Sequence, residues 1–293
     1  MPSLKEIKGR IGSVKSTLKI TSAMKLVASA KLRKAQQAIE GMRPYERKLN
    51  AMLDHLVASG AAPAGDYSRT RDGETPGKPR IALVAFASNS SLCGAFNANA
   101  VRLTLETLNA YSEADVTVYS VGRKMAESMK KTGHPSPEDF QKMADKPSYA
   151  AAVVLAGRLM DEFREGRIDR VELIYNHFVS SGKQVPVRET FLPMATPSPA
   201  LPGGAMESET DYILEPSASA LLQDLLPKSL KLQFYTALLD SNASEHAART
   251  VAMQTATDNG EDLLQELTLQ YNKSRQSKIT SEILDLAAGS QEQ

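Results

Sequence analysis

The first 56 residues of the chain repeat apolar side chains every three and four residues along one heptad seam. The seam positions are Leu4, Ile7, Ile11, Val14, Leu18, Thr21, Lys25, Ala28, Leu32, Ala35, Ile39, Met42, Glu46, Leu49, Leu53 and Leu56. Thirteen of these sixteen are apolar, counting alanine. A seam of this length predicts a long helix that supercoils left-handedly with a partner helix. Pro44 is expected to kink or interrupt this helix near Arg43.

The C-terminal part of the chain carries a matching helical pattern. From Lys228 to Gln293 there is no proline, and Gly289 stands where a helix stop is expected. Ten of the seventeen residues in 241–257 are Ala, Ser or Thr, and the N-terminal helix has its own small-residue stretch at 21–35. Small side chains let two backbones approach closely, so we expect the two ends to pair as an antiparallel coiled coil. The N-terminal helix alone would run about 80 Å, longer than the roughly 50 Å diameter of a compact globule of this length.

Between these helices the pattern changes to short apolar strands that alternate with helices. The predicted strands are 80–88, 116–121, 170–179 and 185–191, and a helix is predicted at 149–164. Such alternation predicts a small, mostly parallel, Rossmann-like α/β domain. A linker rich in glycine, proline and charge precedes it, and a proline-rich loop at Pro193–Gly204 follows it. The predicted organisation is an N-terminal coiled-coil helix (1–58), a linker (59–79), a central α/β domain (80–205) and a C-terminal coiled-coil helix (206–293).

An α/β domain raises the question of catalysis, but the usual motifs are missing. The sequence contains no G-x-x-x-x-G-K-[ST] phosphate loop, no G-x-G-x-x-G after the first strand and no G-x-S-x-G elbow. Its four histidines are scattered, and its single cysteine, Cys93, is expected to be a small packed residue. We therefore expect a protein with no catalytic site, no cofactor and no metal.

Charge is distributed unevenly although the net charge is only +1. Residues 1–50 hold 12 Lys and Arg against three acidic residues, a net charge of +9, so the other 243 residues carry −8. A basic segment indicates a negatively charged partner, which could be nucleic acid, anionic lipid or an acidic protein surface. The longest apolar runs have seven residues, and the N-terminus has no apolar signal-peptide core, so we expect a cytosolic chain without a membrane span. Two alternatives stay open on these grounds: a nucleic-acid-binding coiled-coil protein, and a small α/β enzyme with helical extensions.

Two segments add a specific resemblance. Lys19–Gln36 (KITSAMKLVASAKLRKAQ) and Ala243–Gly289 resemble the two terminal signatures of the γ-subunit family of bacterial F-type ATP synthases. Their spacing, the α/β insert and the overall length match as well, so the resemblance covers essentially the whole chain. Two segments depart from the family pattern. Residues 89–91 are Asn-Ser-Ser where the family usually has Asp-Arg-Gly, and Thr250 replaces a usual methionine.

The resemblance implies a non-catalytic central rotor stalk, present in one copy per complex. Its coiled coil would enter the hexamer of α and β subunits (α3β3), and its α/β domain would sit with subunit ε on the membrane c-ring. That places the chain at the cytoplasmic face of the bacterial inner membrane, where proton-driven rotation would take the three β sites through different affinities. The resemblance puts Met24 near an acidic loop of β, and puts Arg275 and Gln276 against a β loop in one rotary state. The implied α3β3 contacts are Lys19, Met24, Lys25, Lys31, Arg33, Arg249, Arg275 and Gln276.

Overall fold

The computed structural model describes residues 3–58, 65–68, 77–194, 214–215 and 217–289. The helices of these residues are α1 (Leu4–Ala58), α2 (Gly65–Ser68), α3 (Phe96–Ala110), α4 (Arg123–Lys131), α5 (Gln141–Asp145), α6 (Tyr149–Arg164) and α7 (Ala218–Gly289). Their strands are β1 (Arg80–Phe86), β2 (Asp115–Val121), β3 (Arg170–Ser180) and β4 (Lys183–Leu192). Most of the predicted linker 59–79 and of the loop Pro193–Gly204 lies outside the described residues.

The chain divides into two compact units. The first unit comprises residues up to 29 together with those from 249 onward, and the second comprises residues 30–248. Helices α1 and α7 each contribute residues to both units.

Helix α1 confirms the predicted seam. All sixteen seam positions are buried or half-buried, whereas most of the other positions of the helix are exposed. The prediction that Pro44 interrupts the helix is wrong, because α1 continues through this residue to Ala58. Pro44 lies on the exposed side of the helix, between the seam residues Met42 and Leu49, which pack in one apolar cluster. This tertiary packing holds the helix together across the one backbone hydrogen bond that proline cannot donate.

In the second unit, α1 and α7 pair in antiparallel fashion. Asn50 Oδ1 accepts a hydrogen bond from Ser229 Oγ at 3.5 Å, near an apolar cluster that leucines of both helices share. Further along, Leu32 and Ala35 pack against Ala243 and Ala247. The small-residue stretches therefore face each other, as their composition predicts.

The first unit contains the other part of this helix pair. Thr21 lies opposite Thr257, and Lys25 lies opposite Gln254. As the residue number increases along α1 it decreases along α7, so the pairing here is antiparallel as well.

The central sheet has the strand order β2-β1-β3-β4. Strand β1 is parallel to both β2 and β3, and β4 pairs with β3 as an antiparallel edge strand. The predicted mostly parallel sheet is confirmed. Its central strand β1 is apolar and almost wholly buried, which is typical of a strand covered on both faces.

Helices cover both faces of the sheet. On one face, α3 and α4 pack against Leu83 and Ile174 through apolar residues such as Met125. On the other face, α6 and the first half of α7 pack against Val84 and Phe86. Within this second layer the Phe234 ring of α7 makes edge contacts with Phe86 and Phe191, with ring centroids 5.8 Å apart in both pairs. Helix α7 is thus part of the core of the α/β domain.

Candidate functional site

In open α/β sheets, ligands bind in a crevice at the carboxyl ends of the parallel strands. In this chain that edge is closed by backbone and by α7. The Ala87 N–H donates to the Val121 carbonyl oxygen at 2.8 Å, which draws the ends of β1 and β2 together. Gly122 follows with φ +106°, and a Cβ placed on it would lie only 2.1 Å from the Ala87 carbonyl oxygen. Only glycine fits at this point.

Helix α7 fills the space beside these strand ends. Leu238, Ser241, Asn242 and Glu245 line a cavity of about 10 Å³ together with residues of β1 and β2. That volume is about the space that one water molecule needs. The Asn242 side-chain amide donates to the Ala144 carbonyl oxygen at 3.2 Å, which ties α7 to α5 as well. With this strand order, the ligand crevice of a doubly wound sheet lies between the carboxyl ends of β1 and β3. There the Asn176 side-chain amide donates to the Phe96 carbonyl oxygen at 3.2 Å, and Phe96 packs against Ala248 of α7.

The loop after β1 is held by hydrogen bonds within the chain. Ser88 N–H donates to Asn97 Oδ1 at 3.0 Å, and the Asn97 amide nitrogen lies 3.2 Å from the Cys93 sulfur. Cys93 is buried and packs against Phe96 and Ala248, in agreement with its expected role as a small packed residue.

Asn89, the first of the three consecutive residues that depart from the family pattern at 89–91, connects this loop to two helices by hydrogen bonds. Its Oδ1 accepts from the Arg123 N–H at 2.9 Å, and its amide nitrogen donates to the Gln141 carbonyl oxygen at 2.8 Å. The loop is therefore anchored at the start of α4 and at the start of α5.

A buried carboxylate on β3 was not predicted from the sequence. Glu172 is 1% exposed, lies 3.6 Å from both Arg170 and Arg188, and accepts a hydrogen bond from the Tyr111 hydroxyl at 2.5 Å. Burial raises the pKa of the Tyr111 hydroxyl, and the neighbouring Glu172 adds to this effect. The cluster joins Tyr111, the residue that follows α3, to β3 and β4, and its charges pair with one another. Because these charges are paired within the chain, we interpret the cluster as a structural ion-pair network. No sequence pattern connects its four residues, so it could not be predicted from the sequence.

A second polar cluster borders a cavity of about 190 Å³ between α1, β3 and α7. Its wall includes His177 and Asp240, which contact each other, and the side chains of Glu40, Arg43 and Glu46. Among the described residues, no three His, Cys, Asp or Glu side chains are grouped so that they could hold a metal ion.

The eight residues predicted to contact α3β3 lie along the two long helices. Lys19, Lys31, Arg33, Arg275 and Gln276 are exposed, and Met24 is half-buried. The sequence required only one of Arg275 and Gln276 to face outward, and both do.

Three of the eight are engaged within the chain or buried. Lys25 Nζ donates to Gln254 Oε1 at 2.5 Å, and Lys31 Nζ lies 3.8 Å from Asp145 Oδ1. Arg249 is buried, with 7% of its surface exposed. The structure thus places Lys25 across the coiled coil, a contact that the heptad pattern alone could not reveal.

These features define a class of protein: a long antiparallel helix pair that carries a small α/β domain whose ligand crevice is filled by one of the helices. The model of a family described as ATP synthase matches residues 3–291. A protein of Bacteroides fragilis named ATP synthase gamma chain is 53% identical over 296 residues, covering 99% of each chain. Gamma chains of Phocaeicola vulgatus and Flavobacterium johnsoniae are 52% and 41% identical with the same coverage.

Solved structures agree on the fold. The chain is similar to one in the Euglena gracilis mitochondrial ATP synthase, in a structure of OSCP, F1 and c-ring, with a TM-score of 0.65, 20% identity, and coverage of 98% of this chain and 93% of that one. A chain of the Tetrahymena thermophila central stalk and c-ring gives a TM-score of 0.54 at 22% identity, with coverage of 81% and 99%.

The chain therefore belongs to the ATP synthase gamma-chain family, which confirms the resemblance of its two terminal segments. Membership of that family supports the role of central rotor stalk. It favours this role over the two alternatives, a nucleic-acid-binding coiled-coil protein and a small α/β enzyme with helical extensions. Within the described ranges no helix is long and apolar enough to cross a membrane.

Proposed function

We propose that this chain is the non-catalytic rotor of its ATP synthase and leaves ATP chemistry to the α and β subunits. The observation that carries this proposal is the closed carboxyl edge of the sheet. Helix α7 lies beside the ends of β1 and β2. Between β1 and β3, where a doubly wound domain of this strand order would bind a nucleotide, Asn176 donates to the Phe96 carbonyl oxygen and Phe96 packs against Ala248 of α7. Helix α7 is also packed into the core of the same domain, so it is not positioned to move aside for a ligand.

We further propose that the basic surface of α1 faces acidic surface on the α3β3 hexamer. Lys19 and Arg33 are exposed and belong to the N-terminal segment of net charge +9. An exposed basic surface is attracted to an acidic one, and this attraction weakens with salt. The rotor would bias each β subunit because it binds the different β conformations with different free energies.

Two contacts would carry most of the specificity. Met24 is half-buried, so a substitution there changes the surface presented to a neighbouring subunit without opening the helix pair. Arg275 and Gln276 are exposed on α7. A guanidinium and an amide side by side are suited to hydrogen bonds with carboxylates, so this pair would engage a loop of one β subunit in one rotary state.

The remaining assignments concern assembly. The α/β domain of the chain would contact subunit ε and the c-ring, with one copy of the chain in each complex. The complex would lie at the cytoplasmic face of a bacterial inner membrane, with this chain as a peripheral subunit. The partners named for the similar solved structures, F1 and the c-ring, support this placement.

Reconstitution with α and β subunits of the same organism tests the rotor role. The full chain, labelled with a bead, is mixed with immobilised α3β3 and supplied with MgATP. We expect a complex with one copy of the chain per hexamer and rotation in one direction. Absence of rotation from a complex that does contain the chain would refute the rotor role.

Equilibrium dialysis of the isolated full chain against MgATP tests the non-catalytic part separately. We expect no stoichiometric binding at micromolar nucleotide. Stoichiometric binding would contradict that part and leave the rotor role standing.

A further inference from the structure

Two of the three polar residues on the seam of α1, Thr21 and Lys25, lie one helical turn apart in the first unit. Each faces a polar side chain of α7. The Thr257 hydroxyl donates to Thr21 Oγ1 at 2.9 Å, and Lys25 Nζ donates to Gln254 Oε1 at 2.5 Å. Thr21 is 8% exposed and Thr257 is 9% exposed, so this polar layer lies inside the helix pair.

Both layers continue into further hydrogen bonds along each helix. The Thr21 hydroxyl donates a hydrogen bond to the Leu18 carbonyl oxygen at 3.2 Å. Gln254 donates from its amide nitrogen to Asp258 Oδ1 at 2.6 Å. The Thr257 hydroxyl also lies 2.8 Å from the Met253 carbonyl oxygen, so each threonine hydroxyl has an acceptor within its own helix. The half-buried Lys25 and Gln254 have no such local substitute for their mutual hydrogen bond, and a polar group that loses its partner on burial is costly.

The next layer of the same helix pair is complementary in shape. A Cβ placed on Gly260 would lie 2.7 Å from Leu18 Cδ2 and 3.3 Å from Leu18 Cγ. The leucine side chain therefore occupies the space that the glycine leaves free. The two residues are complementary in shape, and any larger residue at position 260 would disturb this packing.

The three layers specify one alignment of the two helices. If α7 slipped by one heptad, Lys25 would face Ala247 or Glu261 instead of Gln254, and Leu18 would face Met253 or Leu267 instead of glycine. Neither slip preserves all three layers. A purely apolar seam has no such preference, because its heptads are interchangeable, whereas polar seam residues are known to fix register in coiled coils.

We infer that Thr21–Thr257, Lys25–Gln254 and Leu18–Gly260 together form a register lock that fixes the axial alignment of α1 and α7 in the first unit. The inference concerns how the helix pair is specified, and it does not depend on the proposed rotor function. It assigns Lys25 a positioning role within the chain.

Distances between spin labels on the full chain test this inference. Labels are attached at Lys8→Cys and Thr255→Cys, two exposed positions on opposite helices, in a Cys93→Ala background. The lock variant removes all three layers and carries Thr21→Val, Thr257→Val, Lys25→Leu, Gln254→Leu and Gly260→Ala. A slip of one heptad displaces one helix by about 10 Å along the other. We expect one narrow distance in the parent and a second, shifted distance in the lock variant.

Thermal unfolding separates a register lock from ordinary stabilising contacts. The lock variant is expected to retain or raise Tm while its distances broaden, because polar layers fix register at a cost in stability. A single unshifted distance in the lock variant, with or without a lower Tm, would overturn the inference.

Two control variants and one fallback complete the design. Lys15→Leu with Thr268→Val makes similar changes at exposed positions of the same helices and is expected to keep the single distance. Lys25→Gln with Gln254→Lys restores the hydrogen bond in reverse and is expected to keep it too. A second distance in either control would also refute the lock. If the lock variant loses its helicity, Lys25→Leu with Gln254→Leu and Gly260→Ala takes its place, with the same outcomes.

Discussion

His177 Nδ1 lies 2.5 Å from Asp240 Oδ2, and this contact joins the end of β3 to α7. The other carboxylate oxygen of Asp240 accepts a hydrogen bond from the Phe178 N–H at 2.8 Å. Burial raises the pKa of the Asp240 carboxyl above its ordinary value, although both of these partners act in the opposite direction. The ionised form of Asp240 is therefore held at some cost in the folded protein.

This raised pKa gives the first prediction, a pH dependence of stability. The folded state binds the Asp240 proton more tightly than the unfolded state does. Stability from the protonated carboxyl is thus present below its ordinary pKa and is lost as the pH rises through the raised pKa. We expect the free energy of unfolding of the wild type to fall relative to Asp240→Asn as the pH rises above about 4, the ordinary pKa of an aspartic acid. Urea unfolding at several pH values measures this difference, and Asp161→Asn, at an exposed position of α6, is the control. A constant difference, or one of opposite sign, would contradict the prediction.

Met24→Lys is expected to lower coupling while it spares assembly. The new ammonium would lie near the acidic loop of β that the family resemblance implies, in a contact partly removed from water where charges interact more strongly. Over-tight binding there would slow rotation. We expect severalfold less proton pumping per ATP hydrolysed in inverted vesicles at equal enzyme content. Met24→Leu, which nearly preserves volume, should behave as the wild type. Unchanged pumping per ATP would show that Met24 only packs within the chain.

Arg275→Ala is expected to lower ATP hydrolysis and ATP synthesis together. The exposed guanidinium would form a charge-assisted hydrogen bond in one rotary state, worth about 1.5–3 kcal/mol, which corresponds to roughly tenfold or more in rate. Assembly should be normal, because Arg275 is exposed on α7. Both activities are measured in membranes with equal enzyme content. Lys278→Ala, which removes an exposed cation one turn away, serves as the matched control. Membranes that match the wild type in both activities would rule out the contact.

Gly122→Ala is expected to destabilise the α/β domain by about 3 kcal/mol or more, from overpacking combined with a backbone angle that L-residues rarely adopt. The new Cβ would collide with the Ala87 carbonyl oxygen, and φ at this position is +106°. Gly133→Ala separates the two causes, since Gly133 also has a positive φ of 84° but has open space around its Cβ position. Chemical denaturation of both variants should show the smaller loss at Gly133. Equal losses would mean that the close approach to Ala87 contributes nothing.

Gly260→Ala and Gly12→Ala should differ although both replace a helical glycine. Alanine in a helix is favoured over glycine by about 1 kcal/mol, and Gly12 has open space around its Cβ position. At Gly260 the new methyl group forces Leu18 to move, at a cost of about 0.5–1.5 kcal/mol that offsets the gain. Thermal unfolding should show a rise in Tm for Gly12→Ala and little change for Gly260→Ala. A similar rise in both would mean that Leu18 adjusts freely.

Much of the fold follows from local pattern. The heptad seam predicted which face of α1 is buried, and the apolar run at 80–88 predicted the central strand β1. Helix α6 has the predicted bounds, Tyr149–Arg164, because a serine cap precedes a regular apolar face. These features depend on neighbours within a few residues, which is the range that periodicity and capping report.

Features that depend on distant residues were not predicted. The partner of Lys25 within the chain is Gln254, 229 residues away, whereas the family resemblance had implied only a contact of Lys25 with α3β3. The Glu172 network brings together three elements whose side chains share no pattern. The continuity of α1 through Pro44 likewise results from packing against α7, because propensity alone favours a break there. Which residues of the two long helices meet another subunit is still a prediction.

Phe234 of α7 packs between Phe86 and Phe191 of the sheet, and this contact couples the unfolding of α7 to that of the sheet. A helix that merely lay on a domain could fray or detach while the domain stayed folded. Here the aromatic contacts of the sheet are also the contacts of the helix, so this part of α7 and the sheet open as one cooperative unit. Loosening the helix would require melting the domain, and a force applied to this segment of α7 is therefore resisted by the whole core beneath it.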